Sequence, residues 1–339
     1  MSLHYSDDCV SLHHGDCIDV MRSLPDASVD SIVTDPPYGL GFMGKGWDAL
    51  PPGEEWAREC LRVLKPGGHL LAFGGTRTWH RLAVAVEDAG FEIRDSIAWM
   101  YGSGFPKHRA ALKPAFEPVV MARKPFKGSL AANEAVHGTG ALDIDACRIG
   151  HDDDLSRYDR SATSGFKGGG IYGGGSPALT PANPAGRWPA NVALDDTAAA
   201  ILDQQSGIQR DGVAVQRNGG GRAIFGGITG AAGNGEHVND QGYGGSGGAS
   251  RFFYCAKAPK RERPNVDGVQ HPTVKPLALM RWLVRLVTPP GGTVLEPFAG
   301  SGTTVEACQL EGFRCIAIER EAEYLPLIMS RFEGQQVIA

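Results

Sequence analysis

The sequence predicts an α/β domain in which one mostly parallel, doubly wound sheet carries helices on both faces. Three observations lead there. Short apolar runs alternate with amphipathic helical runs before residue 124 and again after residue 265. The strand-like TVLE passes through a glycine-containing turn directly into a helical run at 303. The next apolar run, RCIAIE, ends in an acid, Glu319.

The elements follow in order. Residues 10–13 and 32–34 read as strands from their apolar and β-branched content. In EEWARECLRVL, 54–64, Trp56, Cys60 and Leu64 recur at helical spacing. KPGG at 65–68 ends that helix, because glycine accepts positive φ and stops helices well. HLLAF then reads as a buried strand, 78–89 as a helix, and 91–100 and 117–122 as strands. Beyond residue 271, helices at 277–287, 303–310 and 322–332 alternate with the strands TVLEPF and RCIAIE. The two flanking parts are expected to share one sheet.

Between them the composition changes. More than half of the 47 glycines fall between residues 125 and 250, in runs such as GFKGGGIYGGG and YGGSGG. Such runs favour loops over a packed core. ALDIDACRIG (141–150) and GRWPANVALD (186–195) nevertheless carry apolar anchors able to pack on a body. The expected organisation is a first half, 1–124, an inserted and partly flexible glycine-rich region, 125–264, and a second half, 265–339.

The 339 residues suffice for one large domain or two modest ones. No run of about 18 apolar residues exists, so no membrane span is expected. The first residues, MSLHYSDDCV, lack a basic and then apolar leader. Seven cysteines without CxxC spacing disfavour a disulfide framework or a zinc site and suit a reducing cytoplasm. The net charge is −5, yet two segments are basic. One holds Lys107, Arg109, Lys113, Arg123, Lys124 and Lys127 against Glu117; the other holds Arg251, Lys257, Lys260, Arg261 and Arg263 against Glu262. Either is a solvated face or a surface for an anionic partner.

Two constellations carry chemistry. In EPFAGSGTT, 296–304, a glycine corner opens a helix and brings backbone N–H groups to the carboxyl edge of the sheet. It is neither GxGxxG nor GxxxxGK[ST], so dinucleotides and triphosphates are not favoured. Glu319, 19 residues beyond Gly300, suits both hydroxyls of a ribose, and the pair points to a nucleoside-bearing ligand. The second constellation is SIVTDPPYGL, 31–40, where a strand ends in Asp35, Pro36, Pro37 and Tyr38. Proline fixes φ and donates nothing, so the turn is a rigid group of acceptors beside an aromatic plate. An exocyclic amine on a flat ring satisfies such a site; a bare DPP would be read as a turn.

Asp35-Pro36-Pro37-Tyr38 and Phe298-Ala299-Gly300-Ser301-Gly302 resemble the two signature motifs of S-adenosylmethionine-dependent DNA amino-methyltransferases. The catalytic motif precedes the cofactor motif, an order similar to the circularly permuted β group. GDCIDVMRSLPDASVDSIVTDPPYG and HPTVKPLALMRWLV are similar to other stretches of that group. KPAFEPVVMARKP, RWPANVALD and RFFYCAKAPKRER more weakly resemble phage and prophage adenine methylases. The resemblance covers about 1–124 and 265–330.

It implies a seven-stranded Rossmann-like sheet, circularly permuted, with an inserted target recognition region. It implies S-adenosylmethionine as cofactor and transfer of a methyl group to the N6 amine of adenine in double-stranded DNA. N4-cytosine methylation is the rival, although that group more often has serine in place of Asp35; RNA or protein glutamine is a further alternative. On this resemblance Asp35, Pro36, Pro37 and Tyr38 hold and activate the amine, and Asp16 faces the cofactor adenine. Glu296, Phe298, Gly300, Ser301, Gly302 and Thr303 form the cofactor corner, Thr273 and Lys275 border its pocket, and Glu319 holds the ribose. Trp99 stands beside the flipped base or in the core, and Lys257, Lys260, Arg261 and Arg263 contact phosphates. Direct transfer is expected, since no Pro-Cys pair offers a nucleophile for carbon-5 chemistry. Homodimers, a cognate restriction endonuclease and a prokaryotic or phage-encoded cytoplasmic setting are the remaining implications.

Overall fold

The computed structural model describes residues 2–41, 48, 51–106, 109–150, 157–159, 178–180, 186–210, 246–256 and 264–333. The chain opens with a hairpin, β1 (Ser2–Ser6) and β2 (Val10–His14). Helix α1 (Cys17–Ser23) follows, capped by Asp16, whose Oδ1 accepts the Ile18 N–H at 2.9 Å. Strand β3 (Val29–Thr34) is buried at every position, as a strand covered on both faces must be. Next come α2 (Glu54–Val63), β4 (Leu64–Phe73) and α3 (Trp79–Asp88), then β5 (Glu92–Met100) and β6 (Phe116–Arg123).

The inserted region contributes α4 (Leu130–His137) and the small pair β7 (Arg157–Asp159) and β8 (Ala178–Thr180). It continues with β9 (Val192–Asp195), α5 (Asp196–Ser206), the pair β10 (Gln209–Arg210) and β11 (Ser246–Gly247), and β12 (Tyr254–Ala256). The last part supplies α6 (Leu277–Val287), β13 (Thr293–Glu296), α7 (Thr303–Leu310), β14 (Arg314–Glu319) and α8 (Leu325–Glu333).

The main sheet has ten strands among the described residues, in the order β1-β2-β14-β13-β3-β4-β6-β5-β9-β12. The seven central strands, β2 to β5 in that order, come from the two flanking parts, which therefore share one sheet. β1 extends one edge, and β9 and β12 of the inserted region extend the other. Pairings β1–β2, β4–β6 and β5–β6 are antiparallel and the rest are parallel. Successive residues of a strand serve opposite faces: Val33 and Leu71 pack under α6, α7 and α8, whereas Ile32 and Leu70 pack under α1, α2 and α3.

Three departures from the sequence reading have local causes. β1 lies on a sheet edge and is mostly exposed, so it has no apolar pattern to detect. KPGG, expected as the stop of the helix, is part of β4, the helix having ended at Val63; Gly67, at φ +82°, lets the main chain run against Asn133 and Gly140. The middle region is anchored more firmly than its glycines suggest. Tyr254 stacks on Trp282 of α6 at 4.9 Å and 9° and donates its hydroxyl to the Ala278 carbonyl at 2.8 Å. Cys147, Ile149, Ala193 and Leu194 are buried.

Candidate active site

The parallel strands β2, β3, β13 and β14 all end at one edge of the sheet, where a cavity of about 1120 Å³ opens. Its lining includes Asp16, Asp35, Tyr38, Trp99, Lys275, Phe298, Gly300 and Glu319. Residues separated by more than 200 positions therefore meet because their strands are neighbours, the arrangement by which open α/β sheets bind ligands.

One end of the cavity is the DPPY turn. Tyr38 Oη donates to Asp35 Oδ1 at 2.8 Å and lies 3.0 Å from Glu117 Oε2. Lys275 Nζ donates to Asp35 Oδ2 at 2.7 Å, stands 3.1 Å from Glu117 Oε2, and reaches Tyr38 Oη at 3.1 Å. Burial opposes the Lys275 charge, but the Asp35 and Glu117 carboxylates outweigh it and hold the pKa above the lysine range. Burial first, then the same two carboxylates, pushes the Tyr38 hydroxyl well above its usual range, so it stays a donor. Lys275 thus belongs to the Asp35 cluster, besides bordering the cavity.

The turn is rigid for a reason the sequence did not reveal. Asp48, 2% exposed, accepts three successive backbone N–H groups, from Tyr38 at 2.7 Å, Gly39 at 2.9 Å and Leu40 at 3.2 Å. Thr78 Oγ1 donates to the Tyr38 carbonyl at 2.6 Å. Glu117, the lone acid of the basic segment, stands on β6 directly across from Trp99 of β5. Trp99 lines the cavity, lies 5.2 Å from Tyr101 ring to ring, and has no hydrogen-bond partner for its buried Nε1 among the described residues. Phe105 and Leu112 at the mouth are 82% and 94% exposed.

The other end is the glycine corner. Gly300, at φ +52°, donates its N–H to Glu319 Oε2 at 2.7 Å, and Glu321 donates to Oε1 at 2.7 Å. Burial raises Glu319 to about 7, against the pull of these two N–H groups. The positive φ favours glycine at 300, and a Cβ there would also press on the His271 ring, 3.2 Å from Nε2. The N–H groups of Ala299 and Gly302 are likewise spent inside the protein, on Ile318 and Ala299 carbonyls. What the corner offers a ligand is close main-chain approach, and not the row of N–H donors expected from its sequence.

Other corner residues turn inward. Glu296, 1% exposed, accepts from the hydroxyls of Thr34 and Thr304 and from the Phe298 N–H at 3.0 Å. Burial pushes it up to about 8, and its bonds tie β3, β13 and α7 together. A Cβ on Gly302 would meet α8, at 3.0 Å from Ile328 Cα, so this glycine serves packing and does not line the cavity. Ser301 and Thr303 share a hydroxyl bond of 3.1 Å, and both line the cavity. Arg331 of α8 donates from Nε to the Ser301 carbonyl at 2.5 Å and pairs with Glu306. Thr273 interacts through its carbonyl and N–H with His271, whose ring packs edge-on against Tyr324 at 4.6 Å.

Of the basic residues, Lys257, Lys260, Arg261 and Arg263 lie outside the described residues, as does Lys107. In the first segment, Arg123 pairs with Glu92 and Lys124 donates to the Leu64 carbonyl, so both serve the far end of the sheet. Among the described residues no group of side chains suits a metal ion, and no helix is long and apolar enough to cross a membrane.

A glycine corner, an acid on the next strand and a rigid acceptor cluster on one sheet edge define a transferase that uses a nucleoside-bearing cofactor. The family model described as DNA methylase, of the N6/N4 type, matches residues 29–330, and the chain belongs to that family, whose methyl donor is S-adenosylmethionine. The chain is similar to the type II methyltransferase M.HpaI of Haemophilus parainfluenzae, 23% identical over 326 residues, which are 94% of this chain and 72% of the relative. It is also similar to M.HindIII of Haemophilus influenzae, 26% identical over 202 residues, 40% of this chain and 64% of the relative. In fold it is similar to the cytosine-N4-specific PvuII DNA methyltransferase, with a TM-score of 0.52 at 16% identity, covering 99% of this chain and 90% of the other. The cavity fits S-adenosylmethionine: bare main chain at Gly300 lies beside the Glu319 carboxylate, and the Asp35 cluster shares the same space.

Proposed function

We propose that the protein methylates the N6 amine of adenine in duplex DNA, with the base turned out of the helix into the Asp35 end of the cavity. The observation that carries this reading is the carboxylate at position 35, held at the carboxyl edge of β3 within a rigid proline turn. S-adenosylmethionine supplies an electrophilic methyl group when bound.

The chain supplies the rest. An aromatic amine is a poor nucleophile because its lone pair is delocalised into the ring. Asp35 and the Pro36 carbonyl accept its two hydrogens, and the Asp35 charge stabilises the positive charge that grows on nitrogen. Asp48 and Thr78 keep this turn from relaxing. The Tyr38 ring and Trp99 offer flat faces to the extruded base, and exposed Phe105 and Leu112 lie where the opened duplex would approach. Gly300 and Glu319 hold the cofactor, with the Glu319 carboxylate accepting from ribose hydroxyls. Asp16 borders the adenine side of the cofactor.

A covalent route through cysteine is disfavoured by the chemistry of the site. Cys17 lines the cavity, but burial, then the Asp16 charge, pushes its thiol up to about 12, far from thiolate. Lys257, Lys260, Arg261 and Arg263, at the end of the inserted region in sequence, are assigned to phosphates, and the circularly permuted order is that of the β group. The reading is tested by base-resolved methylation sequencing of DNA from cells expressing the protein or its Asp35→Ala variant. Adenine marks at a fixed sequence that vanish in the variant support it; marks confined to cytosine refute it.

A further inference from the structure

Lys275 fills the place that the target amine needs. Its ammonium already occupies Asp35 Oδ2 at 2.7 Å, while Tyr38 occupies Oδ1 at 2.8 Å. A fixed cation there opposes the positive charge that must grow on the substrate nitrogen. The ammonium is buried, its side chain 9% exposed, and lies 4.8 Å over the Phe73 ring and 5.4 Å from the Tyr38 ring, so retreat into water is not at hand. Among the described residues, one other carboxylate lies within ion-pairing reach: Glu117 Oε2, at 3.1 Å.

We propose that Glu117 is a positioning residue that takes Lys275 from Asp35 when the base enters. The inference rests on the function proposed above. The exchange is inexpensive because the buried Lys275 keeps a partly buried anionic partner throughout, moving between oxygens that already flank it. Asp35 then meets the amine as a carboxylate relieved of its counter-ion. The cluster of Asp35, Glu117 and Lys275 keeps one net negative charge, the sign that favours a cationic transition state. Tyr38 Oη, 2.8 Å from one carboxylate and 3.0 Å from the other, can turn its single proton toward Asp35 or toward Glu117 as the lysine moves. Among the described residues, Tyr101 and the buried Glu296 also act on this cluster from neighbouring elements.

Glu117 is then necessary only while Lys275 is present, and a double-mutant cycle tests that dependence. Single-turnover methylation is measured at saturating S-adenosylmethionine and duplex DNA for the parent, Glu117→Gln, Lys275→Met and the double variant, with cofactor affinity from calorimetry. Glu117→Gln is expected to slow methyl transfer at least tenfold with cofactor affinity unchanged, because Lys275 is left with Asp35 alone. Glu117→Asp, which keeps the charge, is expected to recover most of the rate. Adding Lys275→Met to Glu117→Gln is expected to raise the rate at least fivefold over Glu117→Gln. An equal cost for Glu117→Gln with and without Lys275 overturns the proposal, as does a parental rate for Glu117→Gln. Should Glu117→Gln not fold alone, the Lys275→Met background decides, since Glu117→Gln is then expected to cost nothing further. A parent that methylates no base amine in any duplex defeats the underlying function instead, and the two failures are thereby told apart.

Discussion

Replacing Asp35 by alanine removes a charge from the reacting end of the cavity while sparing the architecture around it. The proline turn remains held by Asp48 and Thr78, and Lys275 retains Glu117 at 3.1 Å. Unit charges about 4 Å apart interact by roughly 4 kcal/mol at an effective dielectric constant near 20. Removing one preorganised stabiliser from an active site costs about 2.7–4 kcal/mol, or roughly two to three orders of magnitude in rate. The two scales agree, so Asp35→Ala is expected to lower the methyl-transfer rate by roughly 100- to 1000-fold. Rapid-quench single-turnover kinetics with labelled S-adenosylmethionine, saturating in both substrates, isolates that step. Cofactor affinity is expected to stay near the parental value, because Glu319 and the glycine corner lie at the other end of the cavity. A folded Asp35→Ala protein that transfers methyl groups at near the parental rate would refute the assignment and reduce DPPY to a turn.

Other perturbations separate the remaining parts. Glu319 titrates at about 7 when buried, so its charged fraction grows between pH 6 and 8, and cofactor affinity should rise across that window. Glu319→Gln should flatten the rise and weaken binding by roughly 10- to 100-fold, the scale of a hydrogen bond to a charged group, as read by calorimetry. Arg331→Ala should loosen the Ser301 carbonyl and raise the cofactor dissociation constant, with Arg331→Lys recovering part of the loss. His69 is buried, its Nδ1 has no partner among the described residues, and burial, then Arg123 and Arg94, lowers it to about 4 from 6.5. The folded state therefore refuses a proton that the unfolded chain accepts below pH 6.5. Stability should fall by about 1.4 kcal/mol per pH unit between 6.5 and 4, roughly 3 kcal/mol in all, and urea melts of His69→Leu should show a shallower slope.

The residues that carry chemistry were legible where geometry is local. The strand at 314–319, the helices at 277–287 and 303–310 and the glycine corner follow from period and turn chemistry, and all stand where the sequence places them. What stayed hidden depends on contacts between distant segments. Nothing around Glu117 announces a site, because its partners Tyr38 and Lys275 lie 79 positions before it and 158 after it and meet only once β6 enters the sheet. Asp48 sits in KGWDAL with no cap or period to mark it, and its role appears only when the chain folds back on Tyr38. Gly302 matches a ligand-binding motif, yet its space is claimed by α8. Composition likewise hid how Tyr254 fastens the glycine-rich region to Trp282 of α6, since a stacked pair between two segments leaves no trace in glycine content.

The central claim concerns which atom of DNA receives the methyl group. The purified protein is incubated with duplex DNA and S-adenosylmethionine labelled in its methyl group, the DNA is digested to nucleosides, and each nucleoside is identified by mass. Label on N6-methyladenine alone is the predicted result, its initial rate of appearance falling roughly 100- to 1000-fold when Asp35→Ala replaces the parent. Label on N4-methylcytosine, with adenine unmarked, would contradict the account.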